Sequence, residues 1–145
     1  MDTLNFAGLT ASINKTLKGH TVRYGVHPAL TGVGAAIGAK LTAGAGAWGA
    51  LADIVAAKGI TTDFWICGLI YSTAEAAQIY EFDMQNAAGA HLFYDAINPT
   101  AVTVNLSVTP IPYPIKMTAN AQVQGRVGGA AAKYVYVNIQ YATLL

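Results

Sequence analysis

The fold prediction starts from residues 60–86, ITTDFWICGLIYSTAEAAQIYEFDMQN. Within this stretch, residues 64–71 (FWICGLIY) are apolar apart from one glycine, which is typical of a strand covered on both faces. Residues 80–86 instead alternate between apolar and polar, which is typical of a half-buried strand. The apolar positions of this second strand are Tyr80, Phe82 and Met84. We therefore predict two long strands that pair with each other, joined by a short turn at residues 72–77.

A strand that is apolar on both faces needs two covering layers. The core of a small domain buries one face of a sheet, and the second face usually needs another sheet or another subunit. We therefore predict a subunit interface at Trp65, Leu69 and Tyr71. The single cysteine, Cys67, lies in the same run, and we predict that it packs in the interior rather than acting as a reactive thiol.

The low charge content indicates a protein whose surface is covered by partners. Charged residues make up 10% of the 145 residues, against roughly 25% in ordinary soluble domains. A monomer with so few charges exposes much neutral surface, so we expect self-association. The net charge of +1 gives no reason to expect nucleic acid as a partner. No signal peptide and no run of ~18–20 apolar residues is apparent, so we expect a protein made in the cytoplasm, with no membrane partner.

The rest of the chain predicts one all-β domain preceded by an arm. Residues 1–19 show no sustained period and are interpreted as an N-terminal arm, although a short helix or the lead-in to a first strand also fits. Residues 20–145 form a single domain with about eight strand-like segments bounded by turn residues. The longer segments are 20–27, 48–57, 64–71, 80–86, 91–97, 102–109, 121–127 and 134–141. Eight antiparallel strands in two sheets predict a jelly-roll β-sandwich.

No arrangement of residues predicts catalysis. The histidines fall in no metal-binding motif, and Glu81 and Asp83 are too few for a calcium site, so we expect no metal, no cofactor and no enzymatic activity. We expect these two carboxylates to be solvated or to face another subunit. Tyrosines at Tyr113, Tyr134 and Tyr136 are candidates for an aromatic platform, so a carbohydrate- or receptor-binding module remains the alternative function.

Two parts of the chain resemble tailed-phage virion proteins of about this length. The run ITTDFWICGLIYSTAEAAQIYEFDMQNAAG is similar to a Thr–Asp–Phe–Trp strand of those proteins. The run PIPYPIKMTANAQVQGRVGGAAAKYVYVNIQY is similar to the segment that precedes and includes their last alternating strand. Together the two runs extend over residues 60–141. The matching residues are Asp63, Phe64, Trp65, Pro114, Ile115, Lys116, Asn120, Arg126 and Val127.

This resemblance implies a capsid decoration (cement) protein of jelly-roll type. Such proteins commonly sit as trimers at three-fold or quasi-three-fold positions and bridge neighbouring major capsid proteins. We therefore expect a homotrimer on the exterior of a phage capsid, with the major capsid protein as its partner and a glycan as partner only under the alternative. Within the arm, we expect Leu4, Phe6 and Leu9 to contact the capsid.

Overall fold

The computed structural model describes residues 22–29, 38–99 and 107–145, which fold into a β-sandwich. Regular structure in these ranges is β-strand, and none of it is a helix long and apolar enough to cross a membrane. The strands are β1 (Val22–His27), β2 (Ala39–Thr42), β3 (Gly44–Ala45), β4 (Ala47–Trp48), β5 (Ala52–Val55), β6 (Phe64–Ala74), β7 (Tyr80–Asn86), β8 (His91–Ile97), β9 (Ser107–Met117), β10 (Val123–Gly129) and β11 (Tyr134–Leu144). The predicted arm at residues 1–19 lies outside the described residues.

The strand pairings define two sheets with a jelly-roll topology. Sheet A has the order β1-β11-β6-β9, with β2 also pairing β11, and sheet B has the order β3-β4-β10-β7-β8, with β5 also pairing β10. Four antiparallel pairs are nested along the chain: β7 with β8, β6 with β9, β5 with β10, and β1 with β11. A long hairpin that wraps into two sheets in this way is a jelly roll. The predicted fold is therefore confirmed.

The predicted pairing of β6 with β7 is wrong. β6 lies between β11 and β9 in sheet A, whereas β7 lies between β10 and β8 in sheet B. Residues 75–79 therefore cross from one sheet to the other. The rings of Tyr71 on β6 and Phe82 on β7 meet edge to face, with centroids 6.0 Å apart. The apolar faces of the two strands thus pack across the sandwich rather than side by side.

The core lies between the two sheets and is built from large apolar side chains of both. Its fully buried members include Leu41, Ile54, Val55, Phe64, Ile66, Leu69, Tyr80, Phe82, Met84 and Ile139. Tyr71 adds a polar link across the core, because its hydroxyl donates a hydrogen bond to the carboxylate of Asp95 on β8 at 2.8 Å. Burial and this hydrogen bond both favour the protonated phenol, so the pKa of Tyr71 lies above its ordinary value.

The outward face of β6 is also buried within the chain. Trp65 and Cys67 pack with Ala142 of β11, and Val22 of β1 lies against them. Ile70, further along the strand, is 0% exposed. β6 is therefore covered on both faces, as its continuous apolar run predicts.

Two turn and edge features agree with the sequence. In the turn between β7 and β8, the side-chain oxygen of Asn86 accepts hydrogen bonds from the backbone N–H groups of Ala88 and Ala90 at 3.0 and 2.9 Å. Gly89 completes this hairpin turn with a φ of 79°, a conformation that favours glycine. β9 contains three prolines and, within the described part of the chain, pairs with β6 alone. Prolines lack the N–H that a central strand needs, so an edge position suits them.

The single strand predicted at residues 48–57 is instead broken into β4 and β5. Between them the amide of Gly49 donates a hydrogen bond to the carbonyl of Val127 at 2.9 Å. A Cβ at position 49 would collide with the backbone carbonyl of Thr42. Glycine therefore allows the chain to pass close to β2 there, and this close passage interrupts the strand.

Candidate functional site

The outward face of sheet B holds a cluster of polar side chains around Asp83. The carboxylate is 0% exposed. Its Oδ2 accepts hydrogen bonds from Arg126 Nε at 2.9 Å and from Gln85 Nε2 at 2.6 Å, and its Oδ1 lies 2.8 Å from His91 Nδ1. Strand register brings these groups together, because Arg126 on β10 lies opposite Asp83 and His91 on β8 lies opposite Gln85.

This network keeps Asp83 ionised. Burial raises the pKa of the carboxyl group, but hydrogen bonds from His91, Gln85 and Arg126 outweigh it and hold the pKa of Asp83 below its ordinary value. The sequence predicts an Asp83 that is solvated or faces another subunit, and the first of these is wrong, because the side chain is buried within the chain. Its neighbour on the same face, Glu81, is exposed as predicted. The difference arises because donors from both flanking strands converge on position 83.

Tyr94 extends the cluster toward solvent. Its ring stacks on His91 with centroids 5.0 Å apart, and its hydroxyl lies 2.6 Å from His91 Nδ1. That nitrogen can carry at most one hydrogen, and the charged carboxylate of Asp83 is a stronger acceptor than a phenol oxygen. The geometry therefore favours an Nδ1–H donated to Asp83. Within the described ranges, no three His, Cys, Asp or Glu side chains come together as metal ligands.

At the other end of the cluster, Arg126 lies over the indole of Trp48. The guanidinium carbon is 5.0 Å from the ring centre, within the range of a cation–π contact. Arg126 is therefore fixed between the carboxylate of Asp83 and the ring of Trp48. Trp48 itself remains 38% exposed.

Beside Trp48 the surface of sheet B opens into a trough of about 620 Å³. We call it the glycine trough, because its floor is the backbone of Gly128 and Gly129 on β10. Trp48, Ile79 and Glu81 stand around this floor. Gly128 lies opposite Glu81 on the outward face of the sheet, and its missing side chain leaves the gap between these walls. Glycine inside a strand often marks a place where a ligand or another backbone approaches closely.

Sheet A carries a second acid, base and tryptophan group. Lys116 Nζ lies 3.6 Å from the carboxylate of Asp63 and 5.6 Å from the ring centre of Trp65. Asp63 also accepts a hydrogen bond from the backbone N–H of Ala119 at 2.9 Å. The N–H of Asn120, whose φ is 64°, donates to the carbonyl of residue 60 at 2.8 Å. Four of the residues on which the sequence suggests a resemblance to phage proteins, Asp63, Trp65, Lys116 and Asn120, thus lie at one end of sheet A.

The residues predicted for a subunit interface lie in two different environments. Trp65 is on the outward face of sheet A, whereas Leu69 and Tyr71 point into the core between the sheets. All three are buried within the single chain. Their role in a subunit interface stays a prediction. Outside the described residues lie the predicted capsid contacts Leu4, Phe6 and Leu9.

Cys67 is fully buried on the outward face of β6. Its thiol donates a hydrogen bond to the carbonyl of Trp65 at 3.1 Å. Burial raises the pKa of Cys67 to about 12, so the thiolate is disfavoured at neutral pH. This position agrees with the packing role that the sequence predicts.

The three tyrosines considered for a sugar platform are partly brought together. Tyr134 and Tyr136 on β11 meet edge to face with centroids 5.5 Å apart, and Lys40 Nζ lies 4.3 Å from the centre of the Tyr134 ring. Tyr113 lies on β9 and is 77% exposed. The pair on β11 therefore forms a small aromatic patch next to a cation.

Sequence reasoning missed the cluster on sheet B. The polar positions of β7 are visible in the sequence, but their partners come from β8 and β10. Recognising Arg126 as the partner of Asp83 requires the β7–β10 pairing, which the wrong β6–β7 pairing hid. Gly128 and Gly129 suggest a turn in the sequence, whereas β10 continues through both.

Comparison with known proteins gives little beyond this geometry. No protein-family model matches the chain, and no curated protein matches it. Among solved structures, the chain is similar to one in the structure of infectious bursal disease virus Gx strain, with a TM-score of 0.40 and 10% sequence identity. The match covers 86% of this chain but only 32% of the viral chain. Similarity at this level carries no argument about function.

Proposed function

We propose that this chain is a structural virion protein that decorates and stabilises a phage capsid. It binds as a homotrimer between neighbouring major capsid proteins, at three-fold or quasi-three-fold positions on the capsid exterior. It is made in the host cytoplasm and has no enzymatic activity. Like other cement proteins, it stabilises the shell by binding the assembled form in preference to free subunits, which is a mass-action effect. Many copies acting together add avidity.

One observation carries the proposal: residues of the two runs that resemble phage virion proteins pack against each other. The runs are far apart in sequence, yet β6 and β9 pair so that Phe64 lies opposite Met117 and Trp65 opposite Lys116. The Asp63–Lys116 ion pair closes the end of this ladder. Seven of the nine matching residues thus lie on or beside the β6–β9 pair of sheet A, whereas Arg126 and Val127 lie on β10 of sheet B.

The surface chemistry also supports a partner-covered protein. Charged residues are only 10% of the chain, and the described residues expose large apolar side chains at both sheets. They are Tyr24, Trp48, Leu51, Ile79, Tyr94, Tyr113, Leu144 and Leu145. Scattered apolar residues are normal on a surface, but a low charge density around them favours association.

The trimer is tested by light scattering on a sizing column at several protein concentrations. A mass near three times the 15.1 kDa of the chain that does not change with dilution supports the closed assembly. A monomer at all concentrations contradicts it. The capsid role then ranks below the binding-module alternative.

Capsid binding is tested by sedimenting the protein with shells assembled from the major capsid protein of the same genome. We expect the protein to pellet with shells and to raise the melting temperature of the shells, and we expect no binding to unassembled subunits. The arm is tested with a Leu4→Ser, Phe6→Ser, Leu9→Ser variant, which we expect to bind more weakly. Absence of wild-type binding to shells would contradict the proposed function.

The aromatic patch on β11 favours carbohydrate binding as the second candidate. Tyr134, Tyr136 and Lys40 bring two half-buried aromatic rings and a cation together on one surface. Retention of defined glycans on an array, lost in Tyr136→Ala, would support this function. A blank array together with shell binding would reject it.

A further inference from the structure

We propose that the glycine trough docks a segment of a partner protein in which a Lys or Arg side chain lies among small or apolar residues. The inference rests on the proposed function, because the partner we assign to the trough is the major capsid protein. The site differs from the arm residues to which the sequence assigns capsid contact. It also involves none of the residues predicted for the subunit interface.

The fold does not require a glycine at position 128. A Cβ at Gly128 would lie 3.5 Å from the Ala47 carbonyl oxygen and 3.5 Å from the nearest Trp48 ring atom, which is ordinary van der Waals contact. By contrast, a Cβ at Gly129 would lie 2.8 Å from Gln78 Nε2. Packing therefore accounts for one glycine of the pair but not for the other. Of the two, Gly128 is the one whose missing side chain is on the outward face, opposite Glu81, so an occupant that approaches β10 from the trough accounts for this glycine.

The trough carries a negative charge at Glu81. Glu81 lies in the trough and is exposed, and within the described residues it makes no ion pair or side-chain hydrogen bond. The nearby charge of Arg126 is already balanced by Asp83, 2.9 Å away. The trough thus presents one uncompensated negative charge, which selects a cationic group.

Two walls of the trough are apolar and exposed to solvent. Ile79 is 60% exposed and Trp48 is 38% exposed, although both are large apolar residues. Lys and Arg carry long apolar stems that cover such surfaces while the charged end reaches a polar group. A volume of about 620 Å³ exceeds a single side chain, so the occupant is a short segment of chain rather than one residue.

The walls are also held in place before any ligand arrives. Arg126 lies over the ring of Trp48 and is itself fixed by the buried Asp83. At the far end, the side-chain amide of Gln78 makes two hydrogen bonds to the backbone of Ala131, at 2.9 and 3.0 Å. A preorganised site loses less conformational entropy on binding than a flexible one.

The first test uses the fluorescence of Trp48 in the full-length protein. The probe is the peptide Ac-Ala-Leu-Lys-Leu-Ala-NH2, titrated to millimolar concentrations against the same peptide with Glu in place of Lys. We expect a saturable change with the Lys peptide only, lost in Trp48→Phe. Because Glu81 is partly solvated, Glu81→Gln is expected to weaken binding about fivefold. Gly128→Leu fills the floor and is expected to abolish binding.

The second test repeats shell sedimentation with the same variants. Asp53→Asn is the matched control, because it removes one exposed negative charge outside the trough and keeps the Oδ1 that accepts hydrogen bonds from Gln122 and Gln124. We expect Glu81→Gln and Gly128→Leu to lower shell binding while Asp53→Asn does not. Circular dichroism and urea unfolding check that each variant is folded, and Gly128→Ala provides a milder filling of the floor.

The outcomes separate this inference from the proposed function. If wild type binds shells and the trough variants bind equally well, the docking site is wrong and the capsid role stands. If the Lys peptide binds but shells do not, the trough is a site for cationic segments and the capsid role fails. If the Lys peptide leaves Trp48 emission unchanged, or only a neutral oligosaccharide changes it, the inference is overturned.

Discussion

Each sheet carries a carboxylate, a cation and a tryptophan in contact, but the member that is buried differs between the two sheets. On sheet A, Asp63 and Lys116 are half exposed, and the tryptophan beneath the lysine, Trp65, is 8% exposed. On sheet B, Asp83 is completely buried, and Trp48 beside Arg126 is 38% exposed. On sheet A the aromatic ring is therefore buried and the ion pair is exposed. On sheet B the carboxylate is buried and the aromatic ring is partly exposed.

The comparison shows that residue types alone do not determine what such a group contributes. An exposed ion pair adds little to stability, because water solvates both charges. A buried carboxylate depends on every donor around it, because an unpaired charge away from water is costly. The exposed ring of Trp48 remains available to a partner, whereas Trp65 is already used in packing. We therefore expect the exposed side chains of sheet B, rather than those of sheet A, to contact a partner.

The largest expected difference is between the two tryptophans. Trp65→Ala removes a buried aromatic side chain and leaves a cavity next to Cys67, so the free energy of unfolding should fall by about 3–5 kcal/mol. Trp48→Ala removes a half-exposed ring and should cost about 1 kcal/mol or less. Urea unfolding at one fixed protein concentration measures both. Equal losses would mean that the two rings do not differ in their contribution to the interior.

A smaller difference is expected between the two cations. Arg126→Met keeps most of the side chain but leaves Asp83 buried without its charged partner, so we expect a loss of about 2–4 kcal/mol. Lys116→Met removes the partner of an exposed carboxylate and should change stability by less than about 1 kcal/mol. A cost at Arg126 no larger than that at Lys116 would contradict the account of the buried network.

The pH dependence provides a third contrast. The pKa of Asp83 lies below its ordinary value, so its stabilising contribution is complete above the unfolded-state pKa of about 3.9 and is lost as the pH falls through the native value. The stability advantage of wild type over Asp83→Asn should therefore shrink as the pH falls below about 4. Urea unfolding of both proteins across this range measures the difference. A constant difference down to pH 3 would contradict an ionised, network-held Asp83.

Much of the fold could be predicted because its signals are local. The continuous apolar run of β6 predicts burial on both faces, and the Asn86–Gly89 turn predicts the β7–β8 hairpin. Strand number and alternation then favour a jelly roll. The partner of each strand could not be predicted in the same way. Pairing depends on which apolar faces meet across the core, and residues 72–79 are compatible with either a hairpin turn or a crossing between sheets.

The candidate site depends on this missing information about pairing. Asp83 in isolation has the pattern of a solvated residue, because alternation places it on the outward face of β7. Its burial is decided by Arg126 and His91, which reach it only through the register of β10 and β8. Asn138 and Gln140 on β11 are a second example. Alternation places these polar residues on the outward face, yet they are only 0% and 4% exposed. Alternation predicts a face, but it does not predict what covers that face.

The smallest expected effect distinguishes two glycines on one strand. Gly125 faces the core, where a Cβ would lie 2.7 Å from Ile54 and 3.1 Å from Phe82, so Gly125→Ala should destabilise by about 1–3 kcal/mol through overpacking. Gly128 faces the trough with room for a methyl group. Since alanine also restricts the unfolded chain, Gly128→Ala should be neutral or stabilise by up to about 1 kcal/mol.

Urea unfolding measures the stability of the same two variants, and peptide titration measures their affinity for the Lys peptide. A Gly128→Ala protein that is as stable as wild type but binds the Lys peptide more weakly would show that this glycine is retained for an occupant rather than for packing. A destabilised Gly128→Ala would place it with Gly125, as a residue required by the fold. The glycine trough would then be a consequence of packing, and Gly128 would no longer be evidence for a docking site.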